Sequence, residues 1–289
     1  MNEQFKRIVF SDVDGTIYSF PEHKLENDVK ESVLESKKEG VEFVIVTGNP
    51  LYDKIKFLAR ELNSRYVITS NGAQIYDILN DEYVYKQIIS DENTQKIIKI
   101  VDKYDGSIAW HNETEFGLYN MSFEMSDFYK TFNDFDDYNL SKDAIKSVFK
   151  IEIAEPIDHI KKIYNELIKL DLDLDIVLLS THIEITAKNV SKGDALLYAC
   201  KNVFNTKPEY VMAIGDSEND LSMLKVAGFA YAMDNSSEIV KKSVSLYTSS
   251  VEQNGLGEAI VDYVYRTRLM QEKALIEQKI NAQNAKLRR

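Results

Sequence analysis

The sequence holds a single cysteine, Cys200, among 289 residues. That excludes an internal disulfide and a cysteine metal cluster. Within the helix-like stretch "LLYACKNVF" the thiol reads as a small, inert, buried hydrophobe. Long apolar runs are also missing. None approaches the roughly 20 residues of a membrane-spanning helix, and the opening "MNEQFKR" lacks the apolar stretch of a secretory signal. A cytoplasmic chain with no membrane partner is expected. Positive charge is scarce: 47 acidic against 35 basic residues give a net charge of −12, which disfavours nucleic acid or an anionic lipid surface as partner. Arginine is scarcer still, with none between Arg65 and Arg266. The 4 histidines, His23, His111, His159 and His182, are scattered without ligand spacing. Structural or surface positions are expected for most of them, with His182 and Thr181 following a strand from which they could reach a ligand.

What is present is a rhythm. The length suits one large or two medium domains. Apolar segments "RIVF" (7–10), "EFVIVT" (42–47) and "YVITS" (66–70) are separated by helical patterns, the first of which places Val29, Val33 and Leu34 at helical spacing and ends at Gly40. Strand and helix in alternation predict a parallel sheet covered on both faces. The pattern then changes. "NGAQIYDILNDEYVYKQ" reads as a hairpin turning near Asn80-Asp81. A helix ("TQKIIKIVDKY"), short strands ("SIAWHN", "FGLYNM"), an acidic loop ("NDFDDYN"), a strand ("SVFKIEIA"), a helix ("PIDHIKKIYNELIKL") and a strand pair ("LDIVLLS", "HIEITA") follow. From Ser191 the first rhythm resumes. The expected fold is α/β: a doubly wound, mainly parallel, Rossmann-like core built from residues 1–82 and 189–289, interrupted by an α+β insertion at 83–188. The polar tail "LMQEKALIEQKINAQNAKLRR" offers only a thin stripe of Leu269, Ile276 and Ile280, so a fraying terminal helix is expected before a coiled-coil arm, and a monomer or weak homodimer with it.

Chemistry concentrates at two strand ends. In "FSDVDGT" an apolar strand runs into Asp12 and Asp14, two carboxylates that repel each other unless a cation or shared proton intervenes. A turn explains Asp14-Gly15 but not Asp12. In "AIGDSENDLSML", Asp216, Asn219 and Asp220 follow another buried strand, where capping alone would need only one of them. Ligands in open parallel sheets bind beyond the carboxyl ends of strands, where the strand order reverses. If these two strands are neighbours there, the acids converge and call for a hard divalent cation, for which oxygen ligands favour Mg2+. Thr47-Gly48 offers a hydroxyl and a bare amide to a phosphate oxygen, and Lys192 at a helix start offers a point charge. The run "NDFDDYN" lacks the Gly and terminal Glu of a calcium loop and reads as solvated.

Taken in order, "DVDGT", "TG", "SKGDAL" and "GDSENDLSML" resemble the haloacid dehalogenase superfamily, and "TSNGA" with the insertion behind it is similar to the Cof-type branch, which carries a large α/β cap. The resemblance implies that Asp12 is a nucleophile forming an aspartyl-phosphate and that Asp14 is the general acid and base. It implies a Mg2+ site from the Asp12 carboxylate, the Asp14 carbonyl and Asp216, supported by Asn219 and Asp220. Thr47 and Lys192 would neutralise the transferring group, and Gly48, Asn71, Gly72 and Asn235 would contact phosphate or substrate. One departure stands out: where the family commonly has arginine after "TG", this chain has Asn49. The function implied is a magnesium-dependent phosphatase of a small phosphorylated metabolite. With no arginine in the insertion to hold a second anion, a sugar phosphate or an aromatic cofactor monophosphate is expected. A hexose phosphomutase of the same superfamily and a non-catalytic phospholigand sensor are the alternatives. The insertion's aromatic residues, Trp110 among them, are expected to pack its core.

Overall fold

The structure is a computed structural model that describes residues 5–19, 23–132 and 138–287. In chain order its elements are β1 (Arg7–Ser11), α1 (Asn27–Ser36), β2 (Val41–Val46), α2 (Asp53–Glu61), β3 (Tyr66–Thr69), β4 (Gln74–Asp77) and β5 (Glu82–Lys86). Then come α3 (Asp91–Lys103), β6 (Ile108–His111), β7 (Phe116–Tyr119), α4 (Phe123–Phe132), β8 (Lys150–Ile153), α5 (Ile157–Leu167), β9 (Leu174–Leu178) and β10 (Ile183–Ala187). The chain finishes with α6 (Lys192–Tyr198), β11 (Met212–Gly215), α7 (Leu221–Val226), β12 (Phe229–Ala232), α8 (Glu238–Ser243), β13 (Leu246–Tyr247) and α9 (Gly255–Leu287).

The larger sheet has 8 strands in the order β13-β12-β11-β1-β2-β3-β4-β5. It is parallel from β13 to β3 and antiparallel from β3 to β5. Its middle strands are apolar on both faces because both faces are covered. Val9, Phe43 and Ile45 pack with Val33 of α1, Leu58 of α2 and Ile260 of α9. Ile8, Phe10 and Val44 pack on the other side with Leu196 of α6, Met223 of α7 and Val240 of α8. Gly40 sits at φ +74° with open space around its Cα, so its left-handed backbone conformation, not a close neighbour, explains the glycine that stops the turn after α1. Cys200 lies within the second of these clusters, and burial pushes its thiol up to about 12, as an inert core residue requires.

The smaller sheet has 5 strands in the order β7-β6-β8-β10-β9, every pairing antiparallel. Its strands alternate strictly. Ile151, Ile153, Ile183 and Ile185 point into an apolar layer with Ile97 and Val101 of α3 and Ile160 and Ile163 of α5. The intervening Lys150, Glu152 and Glu184 therefore project from the opposite face. Trp110 belongs to the apolar layer, as its expected packing role demands.

Two features depart from the sequence expectations. β5 stays hydrogen-bonded to β4, so the chain changes sheet after Lys86, later than residue 83. The helix α4 was not anticipated, because "SFEMSDFYKTF" leaves Phe123 and Phe128 exposed and shows no clean apolar stripe. The polar tail is helical, as expected, and continues α9 with Leu275, Ile276 and Ile280 exposed. Most of the acidic run "NDFDDYN" lies outside the described residues. No helix among the described residues is long and apolar enough to cross a membrane.

Candidate active site

Strand order reverses between β1 and β11, and the site forms there. The Asp12 amide donates to the Ile214 carbonyl at 3.0 Å, which locks the ends of the two strands side by side. Gly15, at φ +87°, lets the next turn pass under Asp216: a Cβ on Gly15 would lie 2.4 Å from Asp216 Oδ2. Asp12, Asp216 and Asp220 thus each bring a carboxylate oxygen within 4.8 Å of the others. Lys192 arrives from the first turn of α6, whose start is capped by the Ser191 side chain. Its buried ammonium donates to Asp12 Oδ1 at 2.7 Å, Asp220 Oδ1 at 2.6 Å and Asn219 Oδ1 at 3.2 Å.

The electrostatics follow from burying three acids with one base. Burial and then the Asp220 charge push Asp12 well above the usual carboxylate range, although Lys192 pulls the other way. Burial, again followed by Asp220, raises Asp216 to about 7. Burial alone would lower the Lys192 ammonium, but the Asp12 and Asp220 carboxylates outweigh it and hold the lysine charged. Asp216 Oδ1 is buried with no hydrogen-bond partner. A raised, orphaned carboxylate beside a second one fits a hard divalent cation bound by oxygen.

The expected ligands divide when their partners are counted. Asp220 has both oxygens committed, Oδ1 to Lys192 and Oδ2 to the amides of Asp216 and Ser217, so it supports the loop and the lysine from below. Asn219 Oδ1 accepts from Lys192 and from the Ser217 hydroxyl, leaving its amide nitrogen, a donor that cannot ligate a cation. The Asp14 side chain turns away from the acid cluster: His23 Nδ1 lies 3.0 Å from Oδ1, and Asn49 Nδ2 donates to Oδ2 at 2.8 Å. His23, expected to be a structural or surface residue, is therefore part of the site. Asn49, the departure from the family pattern, is thus spent on Asp14.

Above the acids opens a cavity of about 460 Å3. Asp12, Asp14, Thr47, Gly48 and Asn49 line its floor, and His111, Lys150, Glu152, His182 and Glu184 its roof. Thr181 and His182 do line it, as the sequence suggested they could. Asn71 reaches across: its Nδ2 donates to Glu184 Oε2 at 2.7 Å, tying the larger sheet to the smaller. A second tie joins Ser70 Oγ and His111 Nε2, 2.7 Å apart. Two expected contacts are structural instead. A Cβ on Gly72 would lie 2.2 Å from the Ser191 carbonyl, so this glycine seats α6. Asn235 spends its side chain on backbone, donating to the Gly15 carbonyl at 2.8 Å and accepting from the Val251 amide at 3.0 Å.

A sequence profile of the haloacid dehalogenase-like hydrolases matches residues 9–260. The chain belongs to that family. This hydrolase is 28% identical over 261 residues to the 5-amino-6-(5-phospho-D-ribitylamino)uracil phosphatase of Bacillus subtilis, covering 89% of this chain and 96% of that one. It is 29% identical over 256 residues to the phosphoglycolate phosphatase of Methanobrevibacter smithii, covering 88% and 96% respectively. In fold it is similar to a haloacid dehalogenase-like hydrolase from Bacteroides thetaiotaomicron, with a TM-score of 0.77 at 24% identity over 90% of this chain and 99% of that chain. It is equally similar to a subclass IIB sugar phosphatase of the superfamily, at a TM-score of 0.78 and 22% identity over 89% and 99%.

The roof of the hydrolase's cavity is a charged cluster that the sequence reading missed. Lys150 pairs with Glu152 and, at 3.4 Å, with Glu184. Tyr129 from α4 donates to Glu152 Oε2 at 2.7 Å, and His182 Nε2 lies 3.7 Å from Glu184 Oε1. Burial opposes every one of these charges. The Lys150 ammonium and the His182 ring nevertheless hold Glu184 down at about 2, and the Glu152 and Glu184 carboxylates raise Lys150. Burial, then Lys150, drives His111 well below the ordinary imidazole range, so that ring is neutral. The sequence gives no warning: in "FKIEIA" and "HIEITA" charged residues at every second place read as the solvent face of a half-buried strand. Phe116, Met125, Phe128 and Ile157 form the sides.

Proposed function

We propose that the hydrolase is a magnesium-dependent phosphatase of a small phosphorylated metabolite, and that the part of the chain beyond Lys86, up to residue 188, serves as its cap. The observation that carries this reading is the junction of Asp12 with Lys192 and Asp216 at the strand-order reversal, directly under the cavity. Lys192 grips Asp12 Oδ1 and orients the other oxygen for attack on phosphorus. As the new P–O bond forms, the bond to the leaving oxygen breaks, and Asp14, oriented by Asn49 and His23, gives that oxygen a proton. Asp14 then takes a proton from water, whose oxygen displaces Asp12 and releases inorganic phosphate. Thr47 and the Gly48 amide face the equatorial oxygens from the floor. Mg2+ on Asp12, Asp216 and the Asp14 carbonyl would neutralise charge on the transferring group.

The cavity supports a monophosphate with a neutral, hydroxyl-bearing remainder. Among the described residues lining it, Lys150 is the single lysine and no arginine joins it, so one phosphate but not two can be met by a side-chain cation there. Its apolar sides suit a flat ring or the carbon face of a sugar. The Bacillus relative, named for a substrate with a ribityl chain and a uracil ring, is consistent with both parts. The test is phosphate release with Mg2+ from a panel of sugar and cofactor monophosphates, with Asp12→Asn as control. Release by the native chain and none by the variant is expected. Isomerised sugar phosphate without free phosphate would replace the reading with a mutase. No product from any compound would replace it with a sensor.

A further inference from the structure

The space beside Gly48 is surrounded by polar atoms that the mechanism above does not use. A Cβ built on Gly48 would lie 2.9 Å from Asn71 Oδ1, 3.5 Å from Asn219 Nδ2 and 3.5 Å from Lys150 Nζ. Asn71 Oδ1 is buried and has no hydrogen-bond partner, since the other end of that amide is held by Glu184. Lys150 comes from β8 of the smaller sheet, is nine-tenths or more buried, and is the one lysine among the described residues lining the cavity. A lysine brought so far from water costs several kcal/mol in desolvation that an apolar residue would avoid, so an ion pair made only for stability is a poor explanation. Its neighbours on the opposite face of the same strand, Ile151 and Ile153, show what the structural choice looks like.

We propose that Lys150 is a phosphoryl-binding residue supplied by the smaller sheet: its ammonium and the Asn219 amide hold one oxygen of the substrate phosphate beside Gly48. The inference rests on the phosphatase reading and deepens it. Two donors and one acceptor, Asn71 Oδ1, match a phosphate oxygen flanked by a P–OH. Asn49 is uncharged and turned to Asp14, while Lys192 lies beneath Asp12, so neither brings a cation to this side of the phosphate. Lys150 does. Glu152 and Glu184 then hold the ammonium over Gly48, and the Asn71 bond to Glu184 keeps the two sheets in register while it does so.

The test uses the full chain with Mg2+. Lys150→Met alone would strand two buried carboxylates, so the charge-balanced pair Lys150→Met/Glu152→Gln is compared with Lys150→Arg and with the native chain. Hydrolysis of para-nitrophenyl phosphate and of a hexose 6-phosphate is measured, together with calorimetric binding of inorganic phosphate. We expect kcat/KM to fall by about 100-fold for both esters alike, the size seen when one preorganised donor to developing charge is removed. Inorganic phosphate should bind at least about tenfold more weakly to the double variant, and Lys150→Arg should recover part of both losses. A loss confined to one ester, or unaltered phosphate binding, overturns the proposal by placing Lys150 on the leaving group or in the scaffold. If the native chain hydrolyses neither ester, the phosphatase reading fails, and the phosphate titration still decides the role of Lys150.

Discussion

Raising pH should destabilise the hydrolase without divalent cation and tighten its hold on Mg2+, and Asp216 sets both effects. Burial and the nearby Asp220 charge lift its carboxyl from the ordinary 3.8 to about 7. That displacement corresponds to about 4 kcal/mol. The sign follows from the proton count. Below pH 3.8 folded and unfolded chains are both protonated at this residue; between 3.8 and 7 only the folded chain keeps the proton, so stability falls as pH rises; above 7 the full penalty is present. Asp12, raised by the same burial, adds in the same direction. A cation must displace the proton below pH 7, so affinity at pH 5.5 should be roughly 30-fold weaker than at pH 8 for one proton displaced. Calorimetric Mg2+ titrations at these pH values, in buffers of different ionisation enthalpy, read affinity and proton release together. At least about one proton should leave per cation at pH 6 and almost none at pH 8.5. His182, raised by the roof carboxylates against its burial, also titrates there, and its contribution cancels when the chain with and without Mg2+ is compared at each pH. Equal affinity at pH 5.5 and 8, or an Asp216→Asn variant with the native pH slope, would refute the reasoning.

Two further substitutions probe the frame around the site. Lys192→Met leaves Asp12 and Asp220 buried without their counter-ion. It should cost about 3–5 kcal/mol at pH 8 without divalent cation, read by urea unfolding, with Mg2+ recovering part of the loss; unchanged stability would mean that the three-way junction carries no strain of charge. Gly117→Ala puts a Cβ 2.2 Å from the Trp110 ring, in the apolar layer of the smaller sheet. An overpacking cost of about 1–3 kcal/mol is expected by the same measurement, and full native stability would show that the indole can move aside.

Much of the larger sheet was legible because its central strands are apolar on both faces and most of its parallel strands are followed by a helical stripe. The order of those strands was legible only through chemistry: Asp12 and Asp216 make sense as neighbours, and the β1–β11 pairing makes them so. The roles of Asn219, Asp220, Gly72 and Asn235 were not, because residue type and spacing do not reveal which lone pairs are already spent. Asp220 looks like a ligand in "GDSEND" and becomes a brace once two backbone amides occupy one of its oxygens.

The missed half of the site shows the limit from the other side. Lys150, Glu152 and Glu184 lie in strands that a sequence reading accepts as strands, and their charges look like solvent-facing residues on a sheet of the ordinary one-faced kind. That interpretation fails because the face they decorate is covered by the other sheet, a tertiary fact with no local signature. The same is true of His23, 9 residues from Asp14 in sequence yet bonded to it. Compositional absence was the better guide here. A chain with no arginine between residues 65 and 266, and asparagine where a cation is common, has to meet a phosphate with lysine. Among the described residues around the cavity, Lys150 is where that requirement leads. Its position on the far sheet means that the phosphate would be fully neutralised only when the two sheets stand in the register that Asn71 and Ser70 enforce.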